Sequence, residues 1–578
     1  MINRERFDMF LVLAAFCIKA KSIGLLGPAC LLAILCLPTM ALAQSQLGAD
    51  IENEMSQIES NASVSLSSDG NRLAVGLRDN DGNGFRAGHV RVHEWSGTAW
   101  VQIGADIDGD GPEDMSGQPV LLSSDGNRVA ISAIFDDSNG ENSGRVRVYH
   151  WSESAWTQLG ADIDGEAAYD NFGGSLSLSA DGSRLAIGAT GNDTNGDNSG
   201  HVRVYQWSGT AWSQFGMDIN GEAAGDKSGR SLSLSSNGNR LAIGATNSDI
   251  NGSSSGQVRV YAWSGTEWVL LGASINGAVA HDGLGKSVSL SSDGNRLAVG
   301  VSASDYRDGA GLVRVYQWSG TSWDQLGIDI EGETDGDGSG GSISLSADGN
   351  RLAIGAPGNI GDAEGSGQVR IYQWTGSAWT QLGSDINSYS NYNGLGGHVS
   401  LSSDGNRVAS STGSFNSIAE RPSVVRVYDL SMFNTFNINP GLNDAWYFPD
   451  TSGQGFFITV FPDLGAVSLA WFTYDTELPP LDATAHLGDP GHRWLTAVGP
   501  IDGNQSLMDI EITSGGLFDT STEITRTEPP GSDGTLILTF DSCSSGTIEY
   551  DIPSINRQGT VPIQRVANDN VVICEALR

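Results

Sequence analysis

Hydrophobic and polar residues alternate in short runs along most of this chain, and the runs come in groups of four. One such group comprises Ser175–Ser179, Arg184–Gly188, His201–Trp207 and Ala211–Ile219. Alternation with a period of two over runs this short is typical of β-strands. Polar turns rich in Gly, Asp and Ser join the first run to the second and the third to the fourth, as tight hairpins require. Each group therefore predicts a four-stranded antiparallel unit.

The unit recurs seven times. Its clearest line, Ser-x-Asp-Gly-Asn-Arg-(Leu/Val)-Ala, links the first strand to the second. The residue that opens this turn is Asp69, Asp125, Asp181, Asn237, Asp293, Asp348 and Asp404 in successive copies, at steps of 55 or 56 residues. Four strands per repeat at this period are typical of the blades of a β-propeller. The chain is therefore predicted to be all-β, with a seven-bladed β-propeller over residues 44–431.

The fourth strands are out of phase with the other three. Their motif, Gln-Leu-Gly-x-Asp-Ile, occurs at Gln46 before the first repeat, recurs in related form between the repeats, and has no counterpart after Tyr428. We predict that the strand around Leu47–Ile51 completes the seventh blade. This pairing would join the two ends of the ring and leave no open sheet edge.

The first 43 residues have the pattern of a secretory signal. Basic residues precede an apolar run over Ile23–Leu37, and Ala41-Leu-Ala43 supplies a small-residue cleavage site. A retained membrane anchor is the alternative, but Pro28, Pro38 and the short apolar core argue against a stable span. The protein is therefore expected to be exported, either secreted or at the cell surface, without a membrane span after signal removal.

Residues 432–578 lie outside the repeats and predict a second, smaller β domain, sandwich-like in architecture. Phe456–Phe461 and Ala466–Tyr474 form a hairpin pattern around the turn Pro462–Gly465, and Thr535–Phe540 is a further strand. Signal removal leaves Cys543 and Cys574 as the remaining cysteines. Two cysteines in an exported domain suggest a disulfide bond.

The exported chain is strongly acidic, with 27 basic against 66 acidic side chains and a formal charge of -39. Such a surface repels nucleic acid and anionic membranes and attracts cations. The expected partner is an extracellular protein or glycan. A chain of this size needs no partner subunit to bury its core, so a monomer is expected.

The repeats also predict where a ligand binds. In an up-and-down blade the tight turns share one face, and the longer, acidic, variable loops share the other, where binding residues usually lie. Loops of the form Asp-x-Asn-Gly carry oxygen side chains that suit a hard cation such as Ca²⁺. The candidate metal ligands are Asp79, Asp81, Asn83, Asp137, Asn139, Glu141, Asp193, Asn195, Asp197, Asp249 and Asn251. The alternative is that these residues simply form polar turns.

Three other features have a structural and a functional interpretation. A second loop class, exemplified by Asp106–Asp110 and Asp218–Glu222, is a weaker metal candidate because its first Asp falls within the fourth strand. Tryptophan pairs such as Trp207 with Trp212 flank the third-to-fourth turn; packing between blades is favoured over stacking on sugars. The repeated arginines, such as Arg184 and Arg203, are expected to be structural ion-pair partners.

Two motifs connect the repeats to a known family. Phe172-Gly-Gly-Ser-Leu-Ser-Leu and Leu352-Ala-Ile-Gly-Ala-Pro357 resemble the two halves of an FG-GAP repeat, and the Val-Arg-Val-Tyr strand that follows fits the same family. The resemblance extends over about residues 44–430 and implies the seven-bladed propeller of integrin α chains and related bacterial surface proteins. It further implies extracellular adhesion or ligand binding, often with calcium. That family's calcium loop lies between the first two strands, where this chain has Ser-x-Asp-Gly-Asn-Arg, so no calcium ligand is transferred. The line Ser-x-Asp-Gly-Asn-Arg-(Leu/Val)-Ala also resembles WD-type and TolB-type propeller repeats.

The C-terminal motifs Asn443-Asp-Ala-Trp-Tyr and Ser452-Gly-Gln-Gly-Phe-Phe resemble a module of secreted proteobacterial proteins, which brings no activity with it. An array of near-identical repeats is poorly suited to catalysis, which needs unlike groups brought together. We therefore expect a non-enzymatic binding or adhesion protein that recognises a protein or glycan through its acidic loop face. The alternatives are an extracellular propeller hydrolase or lyase acting on a polymer, and a structural surface or matrix protein.

Overall fold

The fold is described from a computed structural model of the chain. The structure describes residues 44–52, 62–301, 309–360, 365–388, 394–413, 423–431, 438–449, 455–474, 492–501, 503–514, 525–526, 534–540, 542–553, 556–567 and 570–576. The predicted signal, residues 1–43, lies outside these ranges and stays a prediction. In the part of the chain that is described, no helix is long and apolar enough to cross a membrane.

Seven antiparallel sheets follow one another and form the blades of a propeller, as predicted. Blade 1 contains Ser63–Leu66, Arg72–Leu77, His89–Trp95, Trp100–Gln102 and Ile107–Asp108; blade 2 contains Val120–Leu122, Arg128–Ala133, Arg145–Trp151, Trp156–Gln158 and Ile163–Asp164; blade 3 contains Phe172–Leu178, Arg184–Ala189, His201–Trp207, Trp212–Gln214 and Ile219–Asn220. Blade 4 contains Ser231–Leu234, Arg240–Ala245, Gln257–Trp263, Trp268–Leu270 and Ile275–Asn276; blade 5 contains Leu284–Leu290, Arg296–Val301, Leu312–Trp318, Trp323–Gln325 and Ile330–Glu331. Blade 6 contains Ser342–Leu345, Arg351–Ala356, Gln368–Trp374, Trp379–Gln381 and Ile386–Asn387; blade 7 contains Val399–Leu401, Arg407–Ser411, Val424–Asp429, Ser45–Gln46 and Ile51–Glu52.

The fourth strand of each blade is split into two short pieces, where the sequence predicts one continuous strand. In blade 3 the break falls at Gly216, whose φ is 85°. A Cβ atom at this position would lie 2.9 Å from ring atoms of both Trp263 and Trp268 in blade 4. The break therefore lets the backbone approach the tryptophan pair of the next blade, which only Gly permits.

The N-terminal strand closes the ring, as predicted. Ser45–Gln46 and Ile51–Glu52 both pair antiparallel with Val424–Asp429, the third strand of blade 7. The Asp50 carboxylate receives two hydrogen bonds from the Arg426 guanidinium, each 2.9 Å long. The last blade is thus assembled from both ends of the propeller sequence, and its outer edge is paired.

The face that carries the tight turns is bonded into a continuous circle. The backbone N–H after each first strand donates to a carbonyl of the next blade at 2.8–2.9 Å, and the seventh bond returns to the first blade; the residues are Ser68, Ser124, Ala180, Ser236, Ser292, Ala347 and Ser403. An arginine from each blade also reaches the turn of the next, as Arg184 does with the Gly238 carbonyl and the Asn239 side chain. The repeated turn sequence therefore serves to join the blades.

The inner edges of the sheets are also joined. The serines of the Ser-x-Ser first strands accept hydrogen bonds from first-strand N–H groups of the next blade, for example Ser63 from Val120 and Ser65 from Leu122, at 3.1 and 2.9 Å. Ser400 of blade 7 accepts from Leu66 of blade 1 in the same way. These contacts satisfy N–H groups that an inner edge strand leaves without a ladder partner.

The C-terminal domain is a closed eight-stranded barrel. In spatial order its strands are His492–Pro500, Ala466–Tyr474, Gly455–Phe461, Asp444–Tyr447, Arg557–Arg565, Ser545–Ile552, Thr535–Phe540 and Gln505–Ser514, and the last pairs with the first. Thr525–Arg526 adds a short ninth strand, Val571–Ala576 is a helix, and Pro440–Leu442 and Pro462–Leu464 are 3-10 turns. The separate β domain agrees with the prediction, but its strands close on one another instead of forming two sheets. Alternation along the sequence is the same in both architectures and does not distinguish them.

The Asn-Asp-Ala-Trp-Tyr motif of this domain contributes to its core. Trp446 is fully buried, and the Arg565 guanidinium lies 4.9 Å from the centre of its ring and 2.9 Å from the Asp444 carboxylate. The predicted disulfide bond between Cys543 and Cys574 is present and ties the C-terminal helix to the barrel. These contacts give the motif a structural role.

Candidate binding face

The variable loops of the propeller lie on one face, as the sequence predicts. Loops between the second and third strands bond directly to loops that connect one blade to the next; for example, the Glu113 N–H donates to the Phe85 carbonyl and the Tyr169 N–H to the Glu141 carbonyl, at 2.8 and 2.7 Å. The two loop classes therefore form one continuous surface, which we call the loop face.

The loop face exposes apolar side chains. Phe85, Tyr169, Ile250, Val279 and Ile360 all lie in its loops and are between 42% and 58% exposed. Other exposed large hydrophobic residues of the described propeller, such as Val101, Met217 and Ile328, lie on the outer fourth strands or in their breaks. The tight turns on the opposite face consist mainly of Ser, Asp, Gly, Asn and Thr, with Ala or Glu at some positions and no large apolar residue in the first-to-second turns such as Ser68–Asn71. The two faces thus differ in chemistry as well as in loop length.

The candidate metal-binding aspartates hold their own loops in shape. Asp81, Asp137, Asp193 and Asp249 each accept a hydrogen bond at 2.7 Å from the backbone N–H five residues later. Asp79 does not belong to this series: it is buried beside Arg86, 2.7 Å from that guanidinium. The Asp that opens the loop in the first repeat is therefore Asp81, which corresponds to Asp137, Asp193 and Asp249 in the next three repeats.

The candidate asparagines connect neighbouring loops. The amides of Asn83, Asn139, Asn195 and Asn251 each donate, at 2.7 Å, to a glycine carbonyl in the loop that leads to the next blade. Glu141 accepts a hydrogen bond from the Tyr169 hydroxyl, and Asp197 accepts one from the Asn198 amide. In each Asp-x-Asn-Gly loop the Asp and the Asn thus have different backbone partners. The calcium hypothesis stays a prediction.

The structure brings other acidic residues together. Among the described residues, two groups of three place one donor atom from each side chain within 4.8 Å of the others: His89 with Asp106 and Asp108, and Glu166 with His201 and Asp218. Asp106 and Asp218 belong to the second loop class, which the sequence ranked lower. Sequence reasoning did not connect the histidine that begins the third strand with these carboxylates, because they are distant from it in sequence.

Arginines of the third strands lie beside these groups, and the expected ion pairs are present. Arg203 bonds to Asp218 of its own blade at 2.9 Å and to Glu166 of the preceding blade. Burial alone would lower the pKa of Arg203, but the hydrogen bonds to Asp218 and Glu166 raise it above its ordinary value. Arg184, in contrast, bonds to neutral oxygens of a turn, as described above. The arginine prediction therefore applies mainly to the third-strand series, and Arg72, which pairs with Glu94 at 3.1 Å, is a second-strand example.

The mouth of the central channel carries polar residues that break the repeat. Gln118 precedes the first strand of blade 2 and His398 that of blade 7, and their side chains meet at 3.3 Å across blade 1. Burial, and then the nearby Arg78 guanidinium, lower the pKa of His398 to about 4, so the ring is neutral at pH 7. The loop face therefore has a narrow polar centre that differs from its acidic rim.

The tryptophan pairs pack between blades, as favoured from the sequence. Trp207 and Trp212 have ring centroids 5.5 Å apart, and the Trp212 indole N–H donates to the Leu159 carbonyl of the preceding blade at 2.9 Å. The same indole-to-carbonyl bond recurs for Trp100, Trp156, Trp268, Trp323 and Trp379. One tryptophan of each pair therefore hydrogen-bonds to the preceding blade and stabilises the contact between blades.

Comparison with known proteins identifies one repeat. The FG-GAP repeat family matches residues 161–205, which extend from the end of blade 2 into the third strand of blade 3. This stretch includes Phe172-Gly-Gly, one of the motifs that suggested the resemblance. No curated protein matches the sequence.

Several solved structures are distantly similar. A candidate 6-phosphogluconolactonase of Bacteroides uniformis is 11% identical (TM-score 0.41, covering 56% of this chain and 84% of that one). Sqt1 of Chaetomium thermophilum is 16% identical (TM-score 0.40, 67% and 85%), and the β-propeller domain of the Trilobed protease of Pyrococcus furiosus is 11% identical (TM-score 0.38, 64% and 96%). At these scores the propeller assignment rests on the strand pairing of this chain, and none of the three bears on its function.

Proposed function

We propose that the protein is an exported, non-enzymatic binding or adhesion protein that holds an extracellular protein or glycan on its loop face. The observation that carries this proposal is the exposure of apolar side chains in the loops of several blades, represented by Phe85, Tyr169 and Ile250. Exposed apolar groups within a polar surround mark interaction surfaces. The opposite face, whose turns are bonded into the ring, offers no comparable chemistry.

The geometry of the face supports a rigid platform. Its loops bond to one another across blades, as Asn139 does with the Gly165 carbonyl. The cleft between blades 1 and 2 has a volume of about 360 Å³ and is lined by residues that include Asp108, Asp110 and Arg147. A polar cleft of this size suits an extended ligand, such as a polypeptide loop or a polysaccharide.

The proposal is tested by binding of residues 44–578 to arrays of extracellular polysaccharides and of extracellular protein domains. A triple variant, Phe85→Ser, Tyr169→Ser and Ile250→Ser, is expected to weaken binding at least tenfold. The matched control replaces exposed apolar residues away from the loops, Val101→Ser, Met217→Ser and Ile328→Ser, and is expected to bind like the native protein. Equal loss in both variants, or binding that neither variant weakens, would remove the loop face as the site.

The two alternatives are distinguished in the same experiment. Release of new reducing ends, or of unsaturated sugars, from an arrayed polysaccharide would support the propeller hydrolase or lyase. The channel mouth around Gln118 and His398 would then be the first place to substitute. Absence of binding on both arrays would favour the structural surface or matrix protein.

A further inference from the structure

A buried histidine without hydrogen-bond partners lies at the contact between blades 2 and 3. His201 begins the third strand of blade 3, Asp218 lies in the break of the fourth strand of the same blade, and Glu166 comes from the loop that follows blade 2. One donor atom from each of the three lies within 4.8 Å of the others. The three side chains therefore meet at the contact between the two blades.

His201 is 0% exposed, and neither of its ring nitrogens has a hydrogen-bond partner in the structure. A buried polar group without a partner is costly and calls for an explanation, such as an ion or a ligand. An imidazole nitrogen that has no hydrogen-bond partner offers the lone pair that a metal ion requires.

The same position in two other blades is occupied by a hydrogen-bond donor. In blade 2, Arg145 replaces the histidine and donates to Asp164 and Asp110 at 2.9 and 3.1 Å. In blade 6, Gln368 replaces it and its amide contacts Glu333, the counterpart of Glu166, at 3.4 Å. Both replacements place a donor against the carboxylates. Blade 3 instead directs an imidazole at them.

The formal charges of the acidic and basic side chains at this contact do not cancel. Glu166 and Asp218 contribute two negative charges, and Arg203, which bonds to both, contributes one positive charge. Each carboxylate has further lone pairs besides those that Arg203 uses. The guanidinium would then orient the two carboxylates from the outer side of an ion, as outer-shell partners do in metal sites.

We propose that Glu166, His201 and Asp218 bind one divalent first-row transition metal ion, of which Zn²⁺ is the representative. One imidazole nitrogen with two carboxylate oxygens is a donor set that Zn²⁺ accepts, whereas Ca²⁺ prefers oxygen ligands alone. None of the three ligands belongs to an Asp-x-Asn-Gly loop, although the Glu166 carbonyl accepts a hydrogen bond from the Asn139 amide of one such loop at 3.2 Å. Its position between two blades makes the ion a bridge across their contact.

The test is isothermal titration of chelator-treated residues 44–578 with ZnCl₂. The expected result is one ion bound per chain, with an affinity that His201→Gln weakens at least tenfold. Glutamine occupies this position in blades 4 and 6, so the variant is expected to fold. The matched control is His89→Gln, which changes the related group in blade 1, where the imidazole already lies 3.5 Å from Asp106; this variant is expected to bind Zn²⁺ like the native protein.

A second variant and a second ion complete the experiment. Glu166→Gln changes a half-exposed side chain and is also expected to weaken Zn²⁺ binding, with an unchanged circular dichroism spectrum. Excess Ca²⁺ should leave the Zn²⁺ titration unchanged. Absence of Zn²⁺ binding, binding that survives His201→Gln, loss of binding in His89→Gln, or equal competition by Ca²⁺ would each overturn the proposal.

Discussion

Single residues in this protein act mainly on the contacts between repeats. Asp193 fixes its own loop through the Asn198 N–H, while Asn195, two residues later, holds the neighbouring loop through the Gly221 carbonyl. The sequence identified these positions but suggested that their oxygens converge on an ion. The structure adds their backbone partners, a group five residues away for Asp193 and one 26 residues away for Asn195, which an Asp-x-Asn-Gly pattern alone does not reveal.

Replacing Asp193 separates the structural role from the calcium hypothesis. Asp193→Ala removes a hydrogen bond between a side chain and the loop backbone, and is expected to lower the free energy of unfolding by about 1 kcal/mol. Asp197→Ala, in the same loop, should have little effect on this free energy. Thermal unfolding in Ca²⁺ and in chelator measures both. If Ca²⁺ raises the midpoint of the native protein and either substitution removes that rise, the loops bind calcium; a loss that is equal in both buffers is purely structural.

The aspartates of the tight turns are expected to make the stability of the fold depend on pH. Burial raises the pKa of Asp125, but hydrogen bonds from Ser123 and Asn127 outweigh it and hold that pKa below its ordinary value. The same net lowering holds at Asp69, Asp181, Asp293 and Asp348. A pKa that is lower in the folded state adds stability above the unfolded pKa of about 3.9, and this stability is lost as the pH falls through the folded value.

Urea unfolding at several pH values measures this effect. The free energy of unfolding is expected to fall below about pH 4 in the native protein. A variant with Asn at the five positions should show a shallower decline. Asn237 serves the same turn in blade 4, where its side-chain oxygen accepts the Asn239 N–H at 2.9 Å, so the variant should fold. Identical acid dependence in both proteins would contradict the assignment.

At the scale of elements, the split fourth strand is the feature that the sequence did not predict. A run of alternating residues from Ala211 to Ile219 has the pattern of one strand, yet Gly216 interrupts it because the tryptophans of blade 4 pack against its backbone. The pattern of one repeat contains no information about the neighbour that packs on it. The tandem arrangement of the repeats supplies that neighbour only after folding.

Glycine substitutions test this explanation. Gly160 in blade 2 has a φ of 84°, and a Cβ there would lie 2.8 Å from the Trp207 ring, whereas Gly209 has a φ of 98° with nothing within 4 Å. Gly209→Ala is expected to cost about 1 kcal/mol from backbone strain alone. Gly160→Ala adds a clash and should cost about 2 to 4 kcal/mol. Equal losses of unfolding free energy would show that the tryptophan contact does not constrain the break.

At the scale of the whole molecule, closure of the ring depends on nine residues that precede the first repeat. Residues 44–52 supply the outer strands of blade 7 and the Asp50 partner of Arg426. The Leu47 carbonyl also accepts the Trp100 indole N–H of blade 1, so the segment contacts both blades that it joins. Stability of the propeller is therefore expected to be a property of the closed ring.

Removing residues 44–52 from a chain of residues 44–578 tests this expectation. The truncation exposes the edge of Val424–Asp429, and we expect a lower unfolding temperature together with self-association, because unpaired strand edges recruit other chains. Asp50→Asn is the matched control; it keeps the strand and removes the ion pair, at a cost of about 1 kcal/mol. Thermal unfolding and size-exclusion chromatography measure both changes. A truncated protein that stays monomeric and equally stable would refute closure by this strand.

The sequence by itself determined the number of blades, the phase of the closing strand, the separate C-terminal domain and the Cys543–Cys574 pair. Each of these follows from a pattern that is local or that repeats at a fixed period. Tertiary structure alone decided the breaks in the fourth strands, the closed barrel and the proximity of His201 to Glu166 and Asp218. These features depend on which side chains of one blade or strand meet those of the next. Packing fixes that choice through distances that no single repeat encodes.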